Sequence, residues 1–155
     1  MVRIILFIAT GGYAGYLPKA PGTWGTLVAL PINFLLLYLS PEQYYTALAV
    51  IFFLAVYTAG SAEKIMDRKD PGSIVIDEII GMLIALIAVP AQPLYWAVAF
   101  LLFRFFDIIK PWPVSWADRH LNGGLGIVMD DVLAGIYAWL ALHGALLLLP
   151  MLSGG

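Results

Sequence analysis

Five stretches of this chain are too poor in charge to be stable in water and long enough to cross a bilayer. They are Thr23–Leu39, Tyr44–Ala62, Ile74–Val89, Leu94–Ile109 and Val132–Leu149. A spanning helix needs roughly 17–25 mostly apolar residues, because lipid offers the backbone no hydrogen-bond partners. Three of the runs hold no Asp, Glu, Lys or Arg; the others hold only Asp77 with Glu78, and Arg104 with Asp107. The whole chain is 62% hydrophobic and 12% charged, against about 25% charged in an ordinary soluble domain. That leaves too little polar surface to cover a water-facing globule of 155 residues. The expectation is an all-α polytopic membrane bundle of about five spans, forming one domain over residues 1–155.

Each run is near the short end, so tilt or local thinning is required. Pro31 predicts a kink in the first run, and Pro90, Pro111 and Pro150 are expected to close the third, fourth and fifth. Val2–Leu17 is apolar too, but glycines at 11, 12 and 15 interrupt it. Its apolar stretch before Thr10 is shorter than the usual 7–15 residues of a signal peptide. It is expected to form an interfacial or re-entrant helix.

The basic residues fall on one side. With five spans, the amino terminus and the longer loops Glu63–Ser73 and Lys110–Asp131 share a face that carries Arg3, Lys19, Lys64, Arg68, Lys69, Lys110 and Arg119. The opposite face carries no Lys or Arg, and Arg104 lies within a span. The positive-inside rule makes the charged face cytoplasmic, as in a bacterial inner membrane, and leaves Ser153-Gly154-Gly155 as a loose tail on the other side. A net charge of −2 without a basic run offers nothing for nucleic acid. The absence of cysteine removes disulfides, thiolate nucleophiles, iron–sulfur clusters and cysteine-ligated zinc.

Three clusters of charge gather at the cytoplasmic ends of spans, where ionisable groups are costly unless paired or hydrated. Asp77 and Glu78 follow the turn Pro71-Gly72, with Ser73 expected as the N-cap. Arg104, Asp107 and Lys110 stand at i, i+3 and i+6, which places them on one helical face before Pro111. Asp130 and Asp131 follow the glycine-rich segment Gly123-Gly124-Leu125-Gly126, expected as a loop before the fifth helix. Blander readings exist for each: acids favoured by a helix N-terminus, an intrahelical ion-pair ladder, and an Asp130 cap. Taken together, five carboxylates and two cations on one membrane face suggest phosphate handled through a hard divalent cation. Mg²⁺ is typically held by one or two carboxylates plus substrate phosphate. A fourth element, the loop Tyr16-Leu17-Pro18-Lys19-Ala20-Pro21-Gly22-Thr23-Trp24-Gly25-Thr26 leading into the first span, offers the Thr23 and Thr26 hydroxyls, the Lys19 charge, close backbone approach at Gly22 and Gly25, and a helix N-terminus for an anion, although such a segment is more often a plain turn and cap.

These motifs resemble the bacterial phosphatidylglycerophosphatase A family. The resemblance rests on Ala20-Pro21-Gly22-Thr23-Trp24-Gly25-Thr26, Ile76-Asp77-Glu78-Ile79-Ile80-Gly81, Phe103-Arg104-Phe105-Phe106-Asp107-Ile108-Ile109-Lys110-Pro111-Trp112-Pro113, and Gly126-Ile127-Val128-Met129-Asp130-Asp131 with Ala134-Gly135. Thr26 stands where serine is expected, and Met129 comes one place late; neither touches an acid or a cation. The resemblance implies a Mg²⁺-dependent phosphatase that acts on a phospholipid, phosphatidylglycerophosphate, at the cytoplasmic interface. Asp77, Glu78, Asp130 and Asp131 would supply metal ligands or a general base. Arg104, Lys110 and Thr23 would hold phosphate, and Asp107 would orient Arg104 or bind the metal. A metal-activated water is the expected nucleophile, with an aspartyl nucleophile as its rival. The competing class is a small transporter or an assembly subunit whose ion pairs lock helices together. Charges spread through the membrane depth would mark the first, and locally balanced pairs the second.

Overall fold

The computed structural model describes residues 1–153, with side chains through Leu148. Of the expected loose tail Ser153-Gly154-Gly155, Ser153 is helical and the two glycines lie outside the described residues. The described chain is all-helical. Its elements are α1 (Val2–Ala9), a 3₁₀ turn (Ala14–Tyr16), α2 (Pro21–Leu36), α3 (Pro41–Ile65), α4 (Ile76–Ala85), α5 (Pro93–Ile109), α6 (Val114–His120) and α7 (Gly123–Ser153).

Local chemistry explains most boundaries. Ser40 caps α3 in a reciprocal capping box with Gln43, and Pro41 takes the first helical position. Pro93 opens α5 in the same way, and Pro111 follows its end, as expected. Pro31 sits inside α2 on its exposed side.

Among the described residues, α3 and α7 are the two helices long and apolar enough to cross a membrane. α2 and α5, at 16 and 17 residues, reach only about 24–26 Å at 1.5 Å per residue. The expected third span departs furthest from expectation. α4 has ten residues, about 15 Å, and does not run on to Pro90. Its backbone breaks into turns after Ala85, and Ala88 has φ +55°. The Trp139 indole donates to the Ile87 carbonyl at 2.9 Å, so α7 satisfies one of the polar groups this break releases.

α4 is the centre of the bundle. Ile76, Ile79, Ile80, Met82 and Leu83 are buried, and α2, α3, α5 and α7 surround it. Glycines permit the tightest crossings. A Cβ at Gly135 would collide with the Gly81 carbonyl, and one at Gly124 would collide with the Val56 carbonyl. Small residues that let helix backbones approach are the usual means of association where lipid removes the hydrophobic drive. The Gly124 contact also shows why α7 begins at Gly123, nine residues before the expected Val132. The glycine-rich segment is the helix's first turn packed on α3, and the helix runs past Pro150 to Ser153.

The outer surface is apolar. Only 28% of α3's most apolar window is buried, and Val50, Phe53 and Tyr57 face outward from it. Leu35 of α2, Leu101 and Ile108 of α5 and Leu147 of α7 are also exposed. A core helix of a water-soluble fold would bury such residues.

Candidate active site

Four helix segments meet at one end of the bundle. α4 contributes its first turn, where Asp77 and Glu78 lie near the positive end of the helix dipole. The N-cap position is Val75 rather than the expected Ser73, whose hydroxyl turns to Met66 Sδ at 3.7 Å. α7 contributes Asp130 and Asp131 from inside the helix, so neither is a cap. α5 contributes Arg104 and Asp107 from its last turns, with Lys110 as its C-cap. α2 contributes its first turns, from Gly22 to Thr26.

Asp77, Glu78 and Asp131 each offer an oxygen lying within 4.8 Å of the other two. Asp77 Oδ1, Glu78 Oε2 and Asp131 Oδ1 are buried without a hydrogen-bond partner. Buried carboxylate oxygens left in this way are costly and call for a counter-charge. An all-oxygen donor set suits a hard cation such as Mg²⁺, Mn²⁺ or Ca²⁺. These residues therefore fit a metal ion.

Arg104 borders the triad. Its Nη1 lies 2.6 Å from Asp107 Oδ2 and 3.9 Å from Glu78 Oε1. It also donates to Thr26 Oγ1 at 3.5 Å. Thr26 is fully buried and donates in turn to the Gly22 carbonyl at 2.8 Å. The hydroxyl that reaches the arginine is thus Thr26, one turn beyond the half-exposed Thr23. Gly22 backs the same group: a Cβ there would overlap Glu78 Oε1 and meet Arg104 Nη1 at 3.0 Å.

Lys110 and Asp130 form a neighbouring centre. Lys110 Nζ donates to Asp130 Oδ2 at 2.7 Å and to Asp118 Oδ1 at 2.6 Å. Burial by itself would lower the ammonium's pKa, but the hydrogen bonds it donates to two carboxylates outweigh it and hold the group well above an ordinary lysine. The expected i, i+3, i+6 ladder holds for Arg104 and Asp107 and ends there. Lys110 has φ +48°, and this left-handed turn carries its side chain off the helix toward α6 and α7. Asp130, expected among the metal ligands, stands apart from the acidic triad and keeps Oδ1 buried and unpartnered.

The sequence reading did not single out Asp118 or the role of Gly22. Asp118 is the only acid between Asp107 and Asp130, a usable signal in a segment that otherwise reads as loop. Gly22 pointed to close backbone approach, without showing that a carboxylate was what approached it.

The sequence profile of the family described as phosphatidylglycerophosphatase A matches residues 7–146. A phosphatidylglycerophosphatase A of Escherichia coli (strain K12) is 41% identical over 130 residues, covering 83% of this chain and 76% of its own length. A phosphatidylglycerophosphatase A of Haemophilus influenzae is 42% identical over 140 residues, covering 89% of this chain and 86% of its own. A Bacteroides thetaiotaomicron protein, provisionally named phosphatidylinositol-3-phosphatase, is 41% identical over 143 residues, covering 87% of this chain and 89% of its own. No solved structure matches the chain with significance.

Proposed function

The chain belongs to the phosphatidylglycerophosphatase A family, and from that premise we propose how its polar cluster works. The protein is a phosphoric monoester hydrolase that takes the terminal phosphate from phosphatidylglycerophosphate and leaves phosphatidylglycerol. The observation that carries the reading onto these residues is the triad of buried, unpartnered carboxylate oxygens beside Arg104.

Asp77, Glu78 and Asp131 would hold the cation, and Mg²⁺ is our assignment. When bound, it would neutralise phosphoryl oxygen charge and favour attack by water. Arg104 binds the phosphoryl group, with Asp107 and Thr26 fixing its guanidinium at the mouth of the triad. Lys110 adds a second cation from the Asp130 side. Asp130 keeps Oδ1 free and is the group we assign to accept the proton of the attacking water. Half-buried Thr23, one turn before Leu27, would contact the entering headgroup.

The setting we propose is the bacterial inner membrane, with the site facing the cytoplasm. The chain would cross five times, as α2, α3, α4 with its following turns, α5 and α7. α4 can stop part-way because protein surrounds the unwound segment behind it. The gathering of charge at one end supports an enzyme over an ion path, which would need polar groups along its depth.

Phosphate release by detergent-purified protein tests the function. Release from phosphatidylglycerophosphate that needs Mg²⁺ and is lost with a chelator is the expected result. A folded sample inactive under both conditions would overturn it. Competition with a phosphatidylinositol 3-phosphate arm decides selectivity, since one relative carries that name.

A further inference from the structure

An apolar groove of about 630 Å³ lies between α2 and α5. Leu27, Leu30 and Phe34 line it from α2; Trp96, Ala97 and Phe100 are among those lining it from α5. The spacing matters. Leu27, Leu30 and Phe34 continue at i+4, i+7 and i+11 from Thr23, along one stripe of α2. Phe100 and Ala97 lie at i−4 and i−7 from Arg104, along one stripe of α5. The helices run in opposite senses, and the Arg104–Thr26 contact joins them at the polar end. The groove therefore begins one helical turn below the phosphate-binding groups and continues away from them. Its α2 wall, from Leu27 to Phe34, spans about 10 Å, most of one leaflet's hydrocarbon depth of about 15 Å.

From this alignment we infer that the α2–α5 groove seats one acyl chain of the phospholipid substrate while its phosphate lies against Arg104. The inference rests on the lipid phosphatase reading. The occupant is fixed by continuity: a molecule whose charged end is at Arg104 and Thr23 and whose apolar end must leave by the same helix pair. A chain moving from lipid into this groove gains little hydrophobic energy, because its surroundings are apolar before and after. What it gains is position. The groove fixes the direction from which the headgroup reaches the acids, and orientation of that kind acts on rate. Ala97 is an exposed small residue in this lining, so a bulkier side chain there obstructs the groove without entering the core.

The test uses Ala97→Trp and Leu30→Trp in the full chain, assayed on two substrates. One is phosphatidylglycerophosphate with long chains in mixed micelles. The other is its water-soluble headgroup, glycerophosphoglycerophosphate, which has no acyl chain. We expect kcat/KM on the long-chain substrate to fall at least about tenfold, with the headgroup rate within about twofold of the unsubstituted protein. Equal loss on both substrates, or no loss on either, overturns the groove assignment. Failure of the unsubstituted protein to release phosphate from either substrate would instead overturn the phosphatase reading. A second measurement does not depend on turnover. Because the chain has no cysteine, Leu30→Cys supplies a unique thiol for alkylation in detergent. Long-chain phosphatidylglycerophosphate should slow that alkylation severalfold more than phosphatidylcholine of equal chain length. Equal protection by both lipids would mean a groove filled by any bilayer lipid, and would overturn the inference.

Discussion

Each acid in the site has a different environment, and the predictions separate on that basis. Asp131 is 4% exposed and has an oxygen without any protein partner. Asp131→Asn keeps the shape and removes the charge. It should cut phosphate release by at least about a hundredfold while leaving the detergent-solubilised protein folded by circular dichroism. Gly22 is a subtler case. Its missing Cβ is the space that Glu78 Oε1 occupies, so Gly22→Ala must push the carboxylate or α2 aside. The expected outcome is a Mg²⁺ requirement raised by roughly 10–100-fold, the range seen when the support of a metal ligand is disturbed. A titration of activity against Mg²⁺ reads it. Lys110 gives a pH prediction. Its folded-state pKa is raised, so the stabilisation from its pairing is fully present below the unfolded lysine value of about 10.4. It is lost only as pH rises through the higher folded value. The melting-temperature difference between wild type and Lys110→Met should therefore stay flat from about pH 7 to 10 and shrink above that. The sequence singles out Asp77, Glu78, Arg104 and Asp107 because charge within apolar runs is conspicuous, and Asp130 with Asp131 because they adjoin one; the structure brings these residues to one end of the bundle. The sequence could not separate Asp130 from the triad, since adjacent residues in a helix differ by only about 100° in direction. Nor could it show that Lys110 leaves the helix, because that depends on one backbone angle.

At the scale of elements, hydropathy located α2, α3, α5 and the body of α7, and proline marked the end of α5. It failed at Ile74–Val89. A buried half-length helix and a spanning helix are both runs of Ile, Leu, Val and Ala, and only the surrounding helices distinguish them. It also failed at the start of α7, because glycines that read as loop can equally be the contact surface of a helix crossing. The crossing of α4 on α7 is the one with least room. Gly135→Leu should destabilise the protein by more than the 1–3 kcal/mol typical of overpacked cores, because the obstacle is the Gly81 carbonyl rather than a movable side chain. A fall in the unfolding midpoint, together with loss of activity on both the lipid and the headgroup substrate, would mark this as a failure of the fold.

For the whole molecule, the seven-to-zero division of basic residues sets the expected orientation. Single cysteines placed at Lys69 and Gln92, both exposed, should react with a membrane-impermeant maleimide from opposite faces, with Lys69→Cys on the cytoplasmic side. Labelling of both from one side would rule out the five-crossing arrangement. The short central helix has a consequence for how the bilayer remains sealed. The proposed site needs water near Asp77, yet directly beneath that residue Ile80, Leu83 and Leu86 are almost wholly enclosed. The backbone unwinds below them, but the indole of Trp139, rather than water, satisfies the Ile87 carbonyl. The acids thus sit above a closely packed apolar floor. A water-using enzyme can be set into an energised membrane on those terms without becoming an electrical leak: liposomes carrying this protein should hold an imposed proton gradient as long as empty ones do.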